Sequence, residues 1–163
     1  MSTVTAPRAR LSARFKLYAR NIAIPIALGT AVGLLTQGGS AFKQLTKPPL
    51  APPAILFPIV WSALYILMGV SYSRLQERRL DDDGTKLLYY LQLGFNLLWS
   101  VFFFSLGWRL FALIWLLALD LMVAAMVVRF YRAEKVSGLL QIPYLIWVLF
   151  ATYLNLGFYI LNR

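Results

Sequence analysis

The chain is 163 residues long, 60% hydrophobic and 15% aromatic, with 13% charged residues and a net charge of +10 at neutral pH. An ordinary soluble domain is about 45–50% apolar and about 25% charged, and so short a chain has too little interior to hide the surplus, which excludes a typical soluble enzyme, a disordered chain and a collagen-like repeat. Cys and His are both absent, which removes disulfides, thiolate and imidazole metal sites, imidazole ligation of haem and every Ser-His-Asp arrangement; no metal site is expected.

Residues 1–20 carry Arg8, Arg10, Arg14, Lys16 and Arg20 and read as a basic cytoplasmic tail. The remainder, 21–163, reads as one membrane domain. A bilayer core about 30 Å thick takes roughly 20 apolar residues as a helix. Such runs lie at about 21–42, 54–74, 87–107, 110–128 and 138–161. In lipid each backbone polar group must be satisfied within its own segment, so the expected fold is an all-α integral membrane bundle of five transmembrane helices. The first run is too long for a signal peptide and lacks a clear cleavage site, so it is expected to remain as a span. Gly38-Gly39 and the arm Lys47-Pro48-Pro49-Leu50-Ala51-Pro52-Pro53 break any helix after it. The arm reads either as a stiff connector or as a lid over the bundle mouth. Arg78 to Gly84 reads as a solvated turn, and Gly107 as the tip of a tight hairpin between spans three and four.

The cations alternate unevenly between the two sides of such a bundle. Arg8, Arg10, Arg14, Lys16, Arg20, Arg74, Arg78, Arg79, Lys86, Arg129, Arg132 and Lys135 fall on one side, and only Lys43, Lys47, Arg109 and Arg163 on the other. The positive-inside rule assigns the charge-rich side, with the N-terminus, to the cytoplasm. Nucleic-acid binding, the other reading of a basic chain, is set aside because the charges sit at helix ends, where anionic lipid accounts for them.

Several polar and aromatic residues share helical faces. Trp61 and Tyr65 are four apart; Gln92, Asn96 and Trp99 form one stripe, and Pro143, Trp147, Ala151 and Asn155 another. Two readings stand open: helix–helix hydrogen bonds within the bundle, or a pocket with flat aromatic walls and a few oriented polar groups. Trp108 reads as a headgroup anchor. Asp120 lies deep in the fourth span, and is expected either to pair with a bundle amide or to stay protonated. Gly29-x-x-x-Gly33 permits a close backbone approach, within the chain or between two copies.

Taken together, Lys47-Pro48…Pro52-Pro53, Trp61-x-x-x-Tyr65-x-x-Met68-Gly69, Gln92-x-x-x-Asn96-x-x-Trp99 and Pro143-Tyr144-Leu145-x-Trp147-x-x-Phe150-Ala151-Thr152-x-Leu154-Asn155 resemble the translocator protein family, the tryptophan-rich sensory proteins. The resemblance covers about Ile24 to Asn155. It implies a five-helix bundle, usually a homodimer. It also implies a pocket for porphyrins such as protoporphyrin IX, for sterols and for benzodiazepine-type drugs. Trp61, Tyr65, Asn96, Trp99, Trp147, Ala151 and Asn155 match its ligand-binding positions, and Lys47, Pro48, Pro52 and Pro53 then belong to a lid. Some bacterial relatives degrade porphyrin in light, and Trp61 and Trp147 match the tryptophans implicated there. Leu154, Tyr159 and Arg163 form a loose sterol-type pattern. Leu87, Leu91 and Leu156 depart from the residues that animal members carry at the dimer face and in the sterol stretch.

The expected function is a membrane receptor or sensor for porphyrins and related tetrapyrroles, regulating a tetrapyrrole or stress response. The alternative is a light-dependent porphyrin-degrading photo-oxidase, and transport of lipophilic ligands ranks third. No cofactor is required; porphyrin is the ligand, with sterol a further partner and membrane lipid the surroundings. The charge split yields a direct test. A reporter active only outside the cytoplasm should be silent when fused at the N-terminus and active after Arg163, and the opposite pattern would reverse the orientation.

Overall fold

The computed structural model describes residues 5–36 and 44–163, with side-chain surroundings from residue 11 onward. Lys43 and the Gly38-Gly39 pair therefore lie outside the described residues. Among the described residues there are six α-helices: α1 (Thr5–Thr36), α2 (Leu56–Glu77), α3 (Asp83–Ser100), α4 (Arg109–Ala133), α5 (Lys135–Leu139) and α6 (Ile142–Leu161), with a π-helical turn, Val101–Ser105, closing α3. Among the described residues five segments are long and apolar enough to cross a membrane: Leu11–Thr36, Leu56–Glu77, Asp83–Ser105, Arg109–Ala133 and Lys135–Leu161. The chain is a bundle of five transmembrane helices.

Two boundaries differ from the sequence expectation, for identifiable reasons. The basic residues expected in a tail continue the first span as one helix from Thr5. Its cations reach partners on α2: Arg14 pairs with Glu77 at 2.6 Å, and Tyr18 donates to the same carboxylate at 3.0 Å. The fifth span, expected to be continuous, is broken between α5 and α6. Pro143 in the first turn of α6 has no N–H to give to Leu139 and its ring crowds that carbonyl. The α3–α4 hairpin turns at Gly107, whose φ of +66° suits a residue without Cβ.

Helix packing follows small residues and buried polar pairs. At Gly69 a Cβ would collide with the backbone of Asn21 and Ile22, so α1 and α2 cross there almost in backbone contact. Asn21 secures the crossing, donating to Ser73 Oγ at 3.0 Å and Gln76 Oε1 at 2.7 Å. Toward the charge-rich side, Tyr72 and Tyr89 stack at 4.1 Å with Phe130 beside them. The outward faces stay apolar, with Leu35 and Leu121 largely exposed, as lipid contact requires.

Glu134 is the main polar tie on the charge-rich side. It accepts from Arg74 Nη2 at 2.7 Å and Nε at 3.1 Å, and from Ser137 N at 2.7 Å and Oγ at 2.6 Å. One carboxylate thus caps α5 and clamps it to α2. The Arg74 guanidinium, aided by Ser137, holds the Glu134 carboxyl down at about 2, from an ordinary 4.5. Asp82 does similar work for α3: it caps the helix through Thr85 N at 2.7 Å and takes a two-pronged contact from Arg129 at 2.7 and 2.8 Å. Arg129 first, then Thr85, holds that carboxyl well below the usual range.

Glu134→Gln should lower the unfolding free energy at pH 7 by about 1.5–3 kcal/mol, the usual contribution of hydrogen bonds to a charged group. A carboxylate with a lowered folded pKa stabilises above its unfolded value and loses that contribution as pH falls toward the folded one. The gap between wild type and variant should therefore be full above pH 4.5 and close as pH falls toward about 2. Thermal unfolding in detergent across this range checks it.

Candidate functional site

A cavity of about 880 Å³ occupies the half of the bundle nearer the charge-poor side. α1 supplies Gly29, Thr30 and Gly33, α2 supplies Phe57, Trp61, Ser62 and Tyr65, α3 and its π-turn supply Leu97, Trp99, Ser100 and Phe104, and α6 supplies Leu154 and Phe158. Lys47, Ala51, Pro52 and Ile55 come from the arm above it. Lys47 is the one charged side chain among these lining residues.

The arm has the geometry of a roof. Ala51 N donates to Pro48 O at 3.2 Å, and Leu50 has φ +63°, the geometry of a type II turn with Pro49 at its second position. Three hydrogen bonds strap this turn to α6. Thr46 N donates to Asn162 Oδ1 at 2.8 Å, Asn162 Nδ2 donates to Thr46 O at 3.0 Å, and Tyr153 OH donates to Pro49 O at 3.0 Å. Pro48 is buried against Gly157, where any Cβ would strike its ring. Pro53 O accepts from Leu56 N at 3.0 Å and leads into α2.

The inner wall is aromatic and its polar atoms are largely committed. The Trp61 ring lies 5.5 Å from Tyr65 and 6.2 Å from Tyr144. Tyr65 OH donates to Asn96 Oδ1 at 3.2 Å, Asn96 Nδ2 to Tyr144 OH at 3.2 Å, Tyr144 OH to Gln92 Oε1 at 2.8 Å and Gln92 Nε2 to Tyr89 O at 3.0 Å. This buried relay joins α2, α3 and α6. Trp99 differs: it is buried in the wall and its Nε1 has no partner among the described residues.

The sequence-derived residues separate into groups. Trp61, Tyr65, Trp99, Lys47, Pro52 and Leu154 line the cavity. Asn96 stands one hydrogen bond behind Tyr65. Ala151 is buried in the core. Trp147 packs edge-on to Phe57 at 6.0 Å and against Phe150 at 5.6 Å, and is not among the lining residues. Asn155 Nδ2 donates to Arg109 O at 3.2 Å, facing the α3–α4 hairpin. Tyr159 and Arg163 lie on a separate surface depression and Leu154 lines the cavity, so the three residues of the sterol-type pattern do not share one surface. Asp120 pairs with a hydroxyl instead of an amide, accepting from Thr152 Oγ1 at 2.8 Å.

Gly33, Ser100, Phe104 and Phe158 were not singled out as site residues from sequence. The G-x-x-x-G spacing was the available signal for the first. In the fold, a Cβ at Gly29 would overlap the Tyr65 ring, while a Cβ at Gly33 meets nothing and projects into open space. Both glycines serve the chain's own interior: one seats Tyr65, the other leaves the cavity open.

The strap predicts a local readout. Gly157→Leu should unseat Pro48 and raise hydrogen exchange at the Thr46 and Ala51 amides by at least about tenfold, equivalent to losing roughly 1.4 kcal/mol of local protection. Asn162→Ala should act in the same direction at Thr46, with exchange in α2 unchanged in both variants.

Residues 21–161 match the TspO/MBR family. The chain is 38% identical over 150 residues to the tryptophan-rich protein TspO of Archaeoglobus fulgidus, covering 90% of this chain and 97% of that protein. It is 36% identical to the tryptophan-rich sensory protein of Cereibacter sphaeroides, covering 76% and 77%. It is 34% identical to the human translocator protein, covering 79% and 80%. The chain belongs to the TspO/MBR family and is a multi-pass integral membrane protein.

Proposed function

We propose that this TspO/MBR-family membrane protein is a receptor for porphyrins, taking a large flat apolar ring with a carboxylate edge. The carrying observation is the cavity: about 880 Å³ of mostly apolar space, flanked by Trp61, Tyr65 and Trp99, with Lys47 the single lining charge among the described residues, on the arm that roofs it. Ligand sites typically span about 300–1,000 Å³ and combine apolar walls with a few placed polar groups. Trp61 supplies a ring face for stacking, and Trp99 extends the aromatic wall. Lys47, an exposed cation on the cavity lining, would meet a propionate. Apolar drugs and sterols would use the same walls without the charge contact. The charge asymmetry supports an orientation in which the cavity mouth faces away from the cytoplasm.

Light-dependent porphyrin degradation is the second reading, and the position of Trp61 favours it. Its indole lines the cavity where bound, photoexcited porphyrin could sensitise oxygen at close range. Trp147 sits behind Phe57, so its part in such chemistry is expected to be smaller than that of Trp61.

Protoporphyrin IX should quench tryptophan fluorescence saturably at low micromolar concentration. Trp61→Phe should weaken binding roughly tenfold, about 1.4 kcal/mol. Lys47→Gln should weaken protoporphyrin IX severalfold yet leave its dimethyl ester unaffected, because the ester has no charge to lose. Saturable binding with no spectral loss on illumination would leave the receptor reading alone. Failure of wild type to bind, or equal binding by both tryptophan and lysine variants, would refute the site.

A further inference from the structure

We infer that a second concave site, separate from the roofed cavity, holds the phosphate headgroup of an anionic lipid between Arg109 and Arg163. A depression of about 600 Å³ lies where the α3–α4 hairpin meets the end of α6, lined by Trp108, Arg109, Phe111, Ile114, Tyr159 and Arg163 among others. The inference is independent of the ligand proposed for the roofed cavity.

Charge is the first argument. The side of the bundle that bears this depression has four cations and no acidic residue in the whole sequence: every Glu and Asp belongs to the other side, except Asp120 inside a span. Two of those four cations converge on one depression. The five ion pairs among the described residues all involve other cations, so neither guanidinium is neutralised. Positive-inside asymmetry disfavours cations here, which makes their convergence more informative than it would be on the opposite side.

Orientation is the second. Arg109 is half-buried and donates from Nη1 to Asn162 O at 3.2 Å. The Arg163 guanidinium carbon lies 5.3 Å over the Tyr159 ring, where the ring face attracts it. An interfacial arginine that merely reaches for water would need neither support. Two held guanidinium forks suit the geometry of phosphate oxygens.

The third is the apolar border. Trp108, Phe111 and Ile114 are 55%, 43% and 59% exposed, and their three-residue spacing sets them along one side of the first turns of α4. They extend from the hairpin tip toward membrane depth, a rail for an acyl chain attached to the phosphate. A water-borne anion would gain nothing from it. Basic pockets between transmembrane helices take lipid headgroups on the cytoplasmic side, and the same pairing of guanidinium with phosphate is chemically available on this one.

The test uses the full chain in phosphatidylcholine vesicles containing a minor fraction of brominated lipid as a contact quencher. The Trp108 signal is the difference between wild type and Trp108→Phe. Brominated phosphatidylglycerol should quench it at roughly one-tenth the mole fraction that brominated phosphatidylcholine needs, the scale expected for two arginines at a membrane surface. Arg109→Gln with Arg163→Gln should bring that preference to about twofold or less, with protoporphyrin IX binding unchanged. Equal quenching by the two lipids in wild type would overturn the site, as would a preference that survives in a folded double variant. The wild-type comparison decides alone if the double variant does not fold. Inorganic phosphate at about 10 mM, added at a constant ionic strength of about 0.15 M so that screening does not change, should leave the preference intact; if it abolishes it, the depression binds free anions and the lipid assignment fails.

Discussion

A void in the middle of a membrane bundle survives only if the polar groups around it are already satisfied, since neither lipid nor bulk water will satisfy them. In this chain the relay Tyr65–Asn96–Tyr144–Gln92 meets that requirement. It ties three helices together with hydrogen bonds at the inner wall of the cavity and keeps the Tyr65 ring standing over Gly29. The amide groups that suggested ligand contacts are thereby spent on architecture. What remains presented to the cavity is aromatic surface and a lysine on the arm. The site's chemical character follows from which polar atoms the fold consumes and which it leaves.

The outer boundary depends on an equally specific fit. A proline arm alone is stiff but has no reason to lie in one place. Gly157 gives Pro48 a seat, and the reciprocal Thr46–Asn162 pair fixes the arm's direction across the end of α6. The roof is therefore held by the last helix while its far end feeds α2. The arm's described contacts with α6 are separate from the Glu134 and Asn21 ties at the other end of the bundle.

The five spans, the Gly107 hairpin and the aromatic character of the site were legible because length, hydropathy and glycine punctuation report directly on helices in lipid. The facing of individual residues was less so. Trp147, Ala151 and Asn155 were grouped by four-residue steps, but each such step turns about 400°, so the stripe drifts by about 40° per step. Over two steps that carries the face from Phe57 at Trp147 to the Arg109 carbonyl at Asn155. The π-turn at Val101–Ser105 defeats helical counting again: with five residues to a hydrogen-bonded turn, it shifts the phase that would have placed Phe104. The break before Pro143 resets the register of the fifth span in the same way. Gly33 was visible only as half of a packing motif, because nothing in a sequence distinguishes a glycine that admits a helix from one that admits a ligand.

The central claim is that the space beside Gly33 is where ligand sits. Gly33 and Gly94 offer a matched pair for testing it, since a Cβ added at either meets no described atom within 4 Å; of the two, Gly33 lines the cavity. The decisive measurement is protoporphyrin IX affinity in Gly33→Phe and Gly94→Phe, each first shown to keep wild-type helicity and thermal stability. The account predicts a loss of at least about a hundredfold, roughly 2.7 kcal/mol, for Gly33→Phe and wild-type affinity for Gly94→Phe. Wild-type affinity in a folded Gly33→Phe protein would contradict it and move the ligand elsewhere.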